Sequence, residues 1–151
     1  MSKVLTKATP VTEILNKQVA NWSVLYAKLH NFHWYVKGEN FFTLHIKFEE
    51  LYTEAGVHLD VVAERILALR SKPVATLKEH LALSSIKEAK GDESATQMVA
   101  QVVADFEQIA NELTKGIEAT EGQEDQPSAD MMIQIRTSLE KHIWMLSAYL
   151  A

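Results

Sequence analysis

From Val11 to about Val36 the apolar positions fall at Ile14, Leu15, Val19, Trp22, Leu25, Tyr26, Leu29, Phe32 and Val36. Steps of three and four residues place them along one face of an α-helix, which turns once in about 3.6 residues. Thr12 with Lys17 gives only a weak start signal, whereas Gly38, just past the last periodic residue, suits a helix stop. A second helix opens near Asn40 and carries Leu44, Phe48, Leu51, Tyr52, Ala55, Leu59, Val62, Ile66 and Leu69 on its apolar face. It ends before Ser71-Lys72-Pro73, because proline lacks an N–H and crowds the preceding turn.

Beyond Pro73 the pattern shortens. Thr76 followed three residues later by Glu79 fits a capping box, predicting a short helix through about Leu83 inside a long connection. Gly91-Asp92-Glu93-Ser94 then opens a third long helix with Met98, Val102, Phe106, Ile109, Leu113 and Ile117 on its buried stripe. After the polar loop Glu121–Gln126, Pro127-Ser128 starts a fourth, with Met132, Ile135, Leu139, Ile143, Leu146 and Leu150 facing inward. No stretch alternates as a strand would, and no internal repeat appears. Four long helices joined by two short turns and one long crossover predict an all-α fold. The expected form is a ferritin-like four-helix bundle with a short helix in the crossover between helices two and three. A cytokine-type bundle would need two long crossovers. The 151 residues suit one domain over 1–151, with residues 1–10 a short N-terminal tail.

Composition narrows the chemistry. Only 5 Gly and 3 Pro agree with long helices. The absence of cysteine excludes disulfides, thiol nucleophiles, iron–sulfur clusters and Cys-ligated zinc, so any metal must be held by imidazole and carboxylate. A net charge of −5 argues against a nucleic-acid binder, which would carry a positive face. The opening MSKVLTKATPVTEIL has no continuous apolar segment of the kind a signal peptide needs, and no apolar run approaches membrane-spanning length. A cytoplasmic protein with no membrane partner is the expectation.

Ligand-type side chains concentrate in one stretch: His30 and His33, then His45, Glu49 and Glu50, then Asp60 and Glu64. Asp60 and Glu64 are one helical turn apart, as are His45 and Glu49, so each pair projects from one face. The ordinary reading of such pairs is a solvated helix face, and that of a lone histidine a structural residue. Geometry adds a constraint. Asp60 follows His45 by fifteen residues on one helix, roughly 22 Å at about 1.5 Å per residue, whereas metal–ligand bonds span about 2.0–2.6 Å. The Glu-x-x-His pairs that build a di-iron site inside a bundle are also missing. One chain therefore cannot bring both clusters to one ion. An antiparallel two-fold pairing of helix two, crossing near residues 53–54, would set His45 of one copy against Asp60 and Glu64 of the other. It would make two identical sites of imidazole and carboxylate that suit ferrous iron.

The strings His30-Asn31-Phe32-His33-Trp34-Tyr35-Val36-Lys37-Gly38, Phe41-Phe42-Thr43-Leu44-His45, Phe48-Glu49-Glu50-Leu51-Tyr52 and Asp60-Val61-Val62-Ala63-Glu64-Arg65 resemble the Dps family of bacterial mini-ferritins. The similarity runs from Leu15–Asn21 to the closing Lys141–Met145. It implies a hollow dodecamer built from two-fold dimers, with a ferroxidase centre at each two-fold interface. His33 and His45 come from one subunit and Asp60 and Glu64 from the partner. Glu49 matches a second-metal ligand or outer group, giving a mono- or dinuclear iron site. The resemblance implies oxidation of Fe2+, preferentially with hydrogen peroxide but also with O2, storage of the ferric product, and protection against oxidative damage. Trp34 matches an aromatic held to intercept stray electrons, with a packed core aromatic as the alternative. Glu121, Asp125 and Asp130 match acids lining iron-entry pores at the three-fold axes, with a solvated acidic loop as the alternative.

The competing function within the same family is DNA compaction through lysine-rich N-terminal tails. Here only Lys3 and Lys7 precede Pro10, and twelve chains of charge −5 sum to about −60, which phosphate repels. A non-DNA-binding member is expected. A third reading, a helical bundle whose acids and histidines are surface decoration, has no enzymatic role. His30, His58, His80 and His142 are unassigned, His58 because it turns away from Asp60. Trp22 and Trp144 read as core or interface residues.

Overall fold

The computed structural model describes residues 10–151; the lysines of the short tail lie outside them. Five helices follow one another: α1 (Val11–Tyr35), α2 (Phe41–Ala68), α3 (Leu77–Leu83), α4 (Ala95–Glu121) and α5 (Gln126–Leu150). The four long helices are those the apolar periodicity predicts, and the short one in the crossover is that predicted by the Thr76–Glu79 capping box. α1 packs chiefly along α2 and α4 along α5, with α3 lying against α1. The result is two helical hairpins joined by the crossover.

The helix ends show which sequence signals act. Thr76 and Glu79 form the expected reciprocal capping box at α3, and Ser94 with Gln97 forms a second at α4. At α5 the cap is Asp125, whose side chain accepts from the Ser128 amide, so the helix begins at Gln126, a residue earlier than Pro127 suggests. α2 closes in a Schellman arrangement: the Arg70 amide donates to Leu67 (2.9 Å) and the Ser71 amide to Ile66 (3.0 Å). Arg70 there takes the left-handed conformation (φ 59°), which usually falls to glycine. Gly38 occupies the α1–α2 turn at φ 112°, and its carbonyl accepts from the Phe41 amide, the first of α2 (3.1 Å).

The core fills the space between the hairpins with Leu15, Trp22, Leu25, Phe32, Phe48, Ile66, Phe106 and Ile109 among its fully buried members. Burial of each such side chain stabilises by about 1.5–3 kcal/mol relative to exposure. Leu150, expected on the inner stripe of the last helix, is instead exposed, because α5 reaches its end beyond the packed layer. Trp22 is a core residue, while Trp144 is 67% exposed in the single chain. Between α1 and the crossover the tie is polar. Buried Asn21 accepts from the Ser85 amide (2.8 Å) and Ser84 hydroxyl (3.0 Å), and its own amide donates to Glu112 of α4 (2.6 Å).

Gly116 lets α4 approach both α1 and α5: a Cβ there would lie 2.7 Å from Met132 Sδ and 3.0 Å from Ile14 Cγ2. Gly116→Val is expected to destabilise the fold by about 1–3 kcal/mol through overpacking. Chemical denaturation of the variant checks this; an unchanged midpoint would refute the close-packing argument.

Candidate metal centre

His33 sits in the last turn of α1 and His45 in the second turn of α2, and the tight Gly38 turn brings the two rings face to face. Their ring centroids are 3.7 Å apart and their planes 13° from parallel. Each ring is anchored by the other's backbone. His33 Nδ1–H donates to the His45 carbonyl at 2.6 Å, and His45 Nδ1–H donates to the His33 carbonyl at 2.7 Å. A carbonyl oxygen only accepts, so Nδ1 must carry the proton in both rings. In the neutral rings Nε2 is then left as a lone pair, the form in which imidazole binds metal. His33 is buried and His45 half-buried, which limits their freedom further.

Further aromatic rings surround this pair. Phe41 stacks on His45 at 5.0 Å, and Tyr52 meets His33 edge-on at 5.3 Å. Tyr52 also reaches Glu49, its hydroxyl 3.4 Å from the carboxylate. Glu49 itself is exposed. Trp34 is 68% exposed, with its ring 5.3 Å from that of His30, so in the single chain it is a surface residue rather than a packed core aromatic.

Asp60 and Glu64 lie farther along α2. The helix is unbroken from Phe41 to Ala68, so the fifteen-residue rise from His45 to Asp60 of roughly 22 Å stands. Both carboxylates are exposed. Among the described residues of one chain, no three His, Asp or Glu side chains converge on a common ion position.

Of the three acids matched to a pore, Glu121 and Asp130 are exposed. Asp125 is committed within the chain: besides capping α5 it accepts from Arg65 Nη2 at 2.9 Å. Burial pushes its carboxyl up, but the Ser128 and Arg65 donors outweigh this and hold it below the ordinary value.

Glu54, His58, His142 and Ser138, to which the sequence gives no role, form a second cluster between α2 and α5. Glu54 accepts from His58 Nε2 (3.0 Å), from His142 Nε2 (2.5 Å) and from the Ser138 hydroxyl. These bonds, His142's first and His58's next, hold the Glu54 carboxyl well below the usual carboxylate range against the opposing effect of burial. His58 thus faces the bundle interior, away from Asp60. Its i,i+4 spacing to Glu54 is visible in the sequence, but the 88-residue separation of Glu54 from His142 is not. Elsewhere half-buried Asp105 is paired with buried Lys28 at 2.7 Å. Burial pushes its carboxyl up, and Lys28 offsets only part of that.

The chain and its fold have many counterparts. The ferritin-like domain family matches residues 12–151. DNA protection during starvation protein 2 of Bacillus anthracis is 58% identical over 140 residues, covering 93% of this chain and 96% of that protein. General stress protein 20U of Bacillus subtilis (strain 168) is 55% identical over 138 residues, covering 91% and 95%. The crystal structure of a Dps protein from Bacillus brevis superposes with a TM-score of 0.92 at 55% identity, covering 93% of this chain and 95% of that one. This chain belongs to the Dps family of ferritin-like proteins. Among the described residues, no helix is long and apolar enough to cross a membrane.

Proposed function

We propose that the chain is the subunit of a ferroxidase and iron store in the bacterial cytoplasm. It takes up Fe2+, oxidises it with hydrogen peroxide in preference to O2, and keeps the ferric product inside a hollow dodecamer, protecting the cell against oxidative damage. The observation that carries this is the reciprocal brace of His33 and His45, which holds two imidazoles with Nε2 free to bind. Structural histidines have no need of such presentation. Asp60 and Glu64 of the partner subunit supply the charge that imidazole lacks, across an antiparallel α2–α2 contact.

The stacking bears on nuclearity. An imidazole lone pair lies in its ring plane, and the two planes are nearly parallel 3.7 Å apart. An ion held in the plane of His33 lies outside that of His45, so the pair serves two ions, with Glu49 beside the second. Two ferrous ions give one electron each, and hydrogen peroxide takes both with two protons to leave two waters. Both reactants of hydroxyl-radical chemistry are consumed. Trp34, next to His33 in the chain and with its ring 5.3 Å from that of His30, is the residue to intercept a stray electron. Glu121 and Asp130 form the entry for cations at the three-fold axes, with Asp125 holding the shape of that loop.

Anaerobic Fe2+ titration followed by peroxide tests the reading. Saturable binding and fast oxidation are expected from the wild type. An Asp60→Ala/Glu64→Ala variant that oxidises at the wild-type rate would sink it.

The names of the relatives favour a second reading, a protein that shields DNA by coating it. A net charge of −5 per chain opposes that, and scavenging iron and peroxide protects DNA without contact. Robust gel retardation of DNA at low salt without added metal would reverse this order.

A further inference from the structure

We infer that Phe41 and Tyr52 are positioning residues, clamping the His45–His33 pair from its two outer sides so that both Nε2 atoms stay presented to metal; this rests on the ferroxidase reading above. The hydrogen bond at Nδ1 fixes which nitrogen carries the proton only while it lasts, and a swing of the ring about its Cβ–Cγ bond breaks it. The rings next to the pair limit that swing. Phe41 lies one helical turn before His45 and covers its outer face, 22° from parallel at 5.0 Å. Tyr52 sets its edge against His33, the planes crossing at 84°.

Tyr52 is itself backed. Its other neighbour is His30, stacked on it at 3.7 Å and 18°, and His30 Nδ1–H is tied to the Tyr26 carbonyl at 2.8 Å. Phe41 is set by the turn, since its amide is held by the Gly38 carbonyl. The order Phe41, His45, His33, Tyr52, His30 is therefore a continuous run of rings, fixed to backbone at several points. Phe41 and Tyr52 pack against the edge of the core but are only half-buried, and each also holds an imidazole through its other contacts. What their rings restrict is the motion of the two imidazoles. Groups that orient a metal ligand typically change affinity by about 10–100-fold when removed.

The test compares ring-removing with ring-keeping variants in the full-length, assembled protein. Phe41→Leu and Tyr52→Leu are each expected to weaken anaerobic Co2+ binding on the order of 10-fold and to change the intensity of its d–d bands. Phe41→Tyr and Tyr52→Phe are each expected to keep more of the affinity than the matching leucine variant, since stacking needs the ring and not the hydroxyl. Solid-state 15N spectra of histidine-labelled, metal-free protein give a readout that needs no metal. The wild type should show a single Nδ1–H tautomer at His33 and His45, and the leucine variants a mixture. A leucine variant that fails to assemble is replaced by methionine, which fills similar space without a ring. Assembled ring-less variants with wild-type Co2+ affinity and an unmixed tautomer would overturn the clamp, as would Tyr52→Phe proving as damaging as Tyr52→Leu. If the wild type itself shows no saturable Co2+ site, the ferroxidase reading fails, while the tautomer spectra still decide the clamp.

Discussion

Mixing two inactive variants is expected to restore about a quarter of wild-type ferrous oxidation, because each proposed site draws its ligands from both members of a two-fold pair. One variant lacks the imidazoles (His33→Ala/His45→Ala) and the other the acids (Asp60→Ala/Glu64→Ala). Alone, each is expected to fall on the order of 100-fold or more in rate, since losing ligands costs at least as much as losing the groups that orient them. Co-expressed in equal amounts and pairing at random, about half of all two-fold pairs are mixed. Each mixed pair holds one site with both halves intact and one with neither. Peroxide-driven oxidation, measured with gel filtration to confirm assembly, decides the matter. If the mixture is as inactive as its parents, the shared site is wrong.

The second large effect concerns stability. Glu54→Ala removes the one acceptor shared by His58, His142 and Ser138 and is expected to destabilise the subunit by about 2–4 kcal/mol, less than for a fully buried network because Glu54 is partly exposed. The pH dependence follows from the direction of the shift. The carboxyl is held below its ordinary value of 4.5, so its contribution is fully present above that value and is lost as pH falls below it. Thermal melting from pH 7 down to pH 3 should show the wild type losing its margin over Glu54→Gln in that acid window. A margin that stays constant across the range would show that the ionised carboxylate is not what the histidines stabilise.

The local parts of this architecture were legible in the sequence. Steps of three and four mark every long helix, Thr76 and Glu79 mark the short one, and Pro73 marks the break after α2. The separation of His45 from Asp60 on one unbroken helix, on which the proposed sharing of the site rests, followed from the rise per residue. Contacts between distant segments were hidden. Nothing in the periodicity ties His142 to Glu54 or Arg65 to Asp125, because such pairs depend on how two hairpins dock. Asp125 in the sequence is one acid among several in a polar loop, and the structure adds to it a helix cap and an ion pair. The reciprocal His33–His45 brace was also invisible, since it depends on backbone carbonyls that carry no sequence signature.

The division into two hairpins has a consequence for how the molecule is made. Contacts within α1–α2 close over a short loop and form quickly, whereas those of the crossover bridge 63 and 64 residues to Asn21 and come later. During synthesis the first hairpin, with its braced imidazoles and both acids, is complete before α4 and α5 have left the ribosome. The later half of the chain adds no proposed ligand for the oxidised metal; it supplies the docking surface that makes the first half permanent. Drift on the packed faces of α4 and α5 is therefore read by selection as folding yield, and drift at His33, His45, Asp60 and Glu64 as the proposed catalysis.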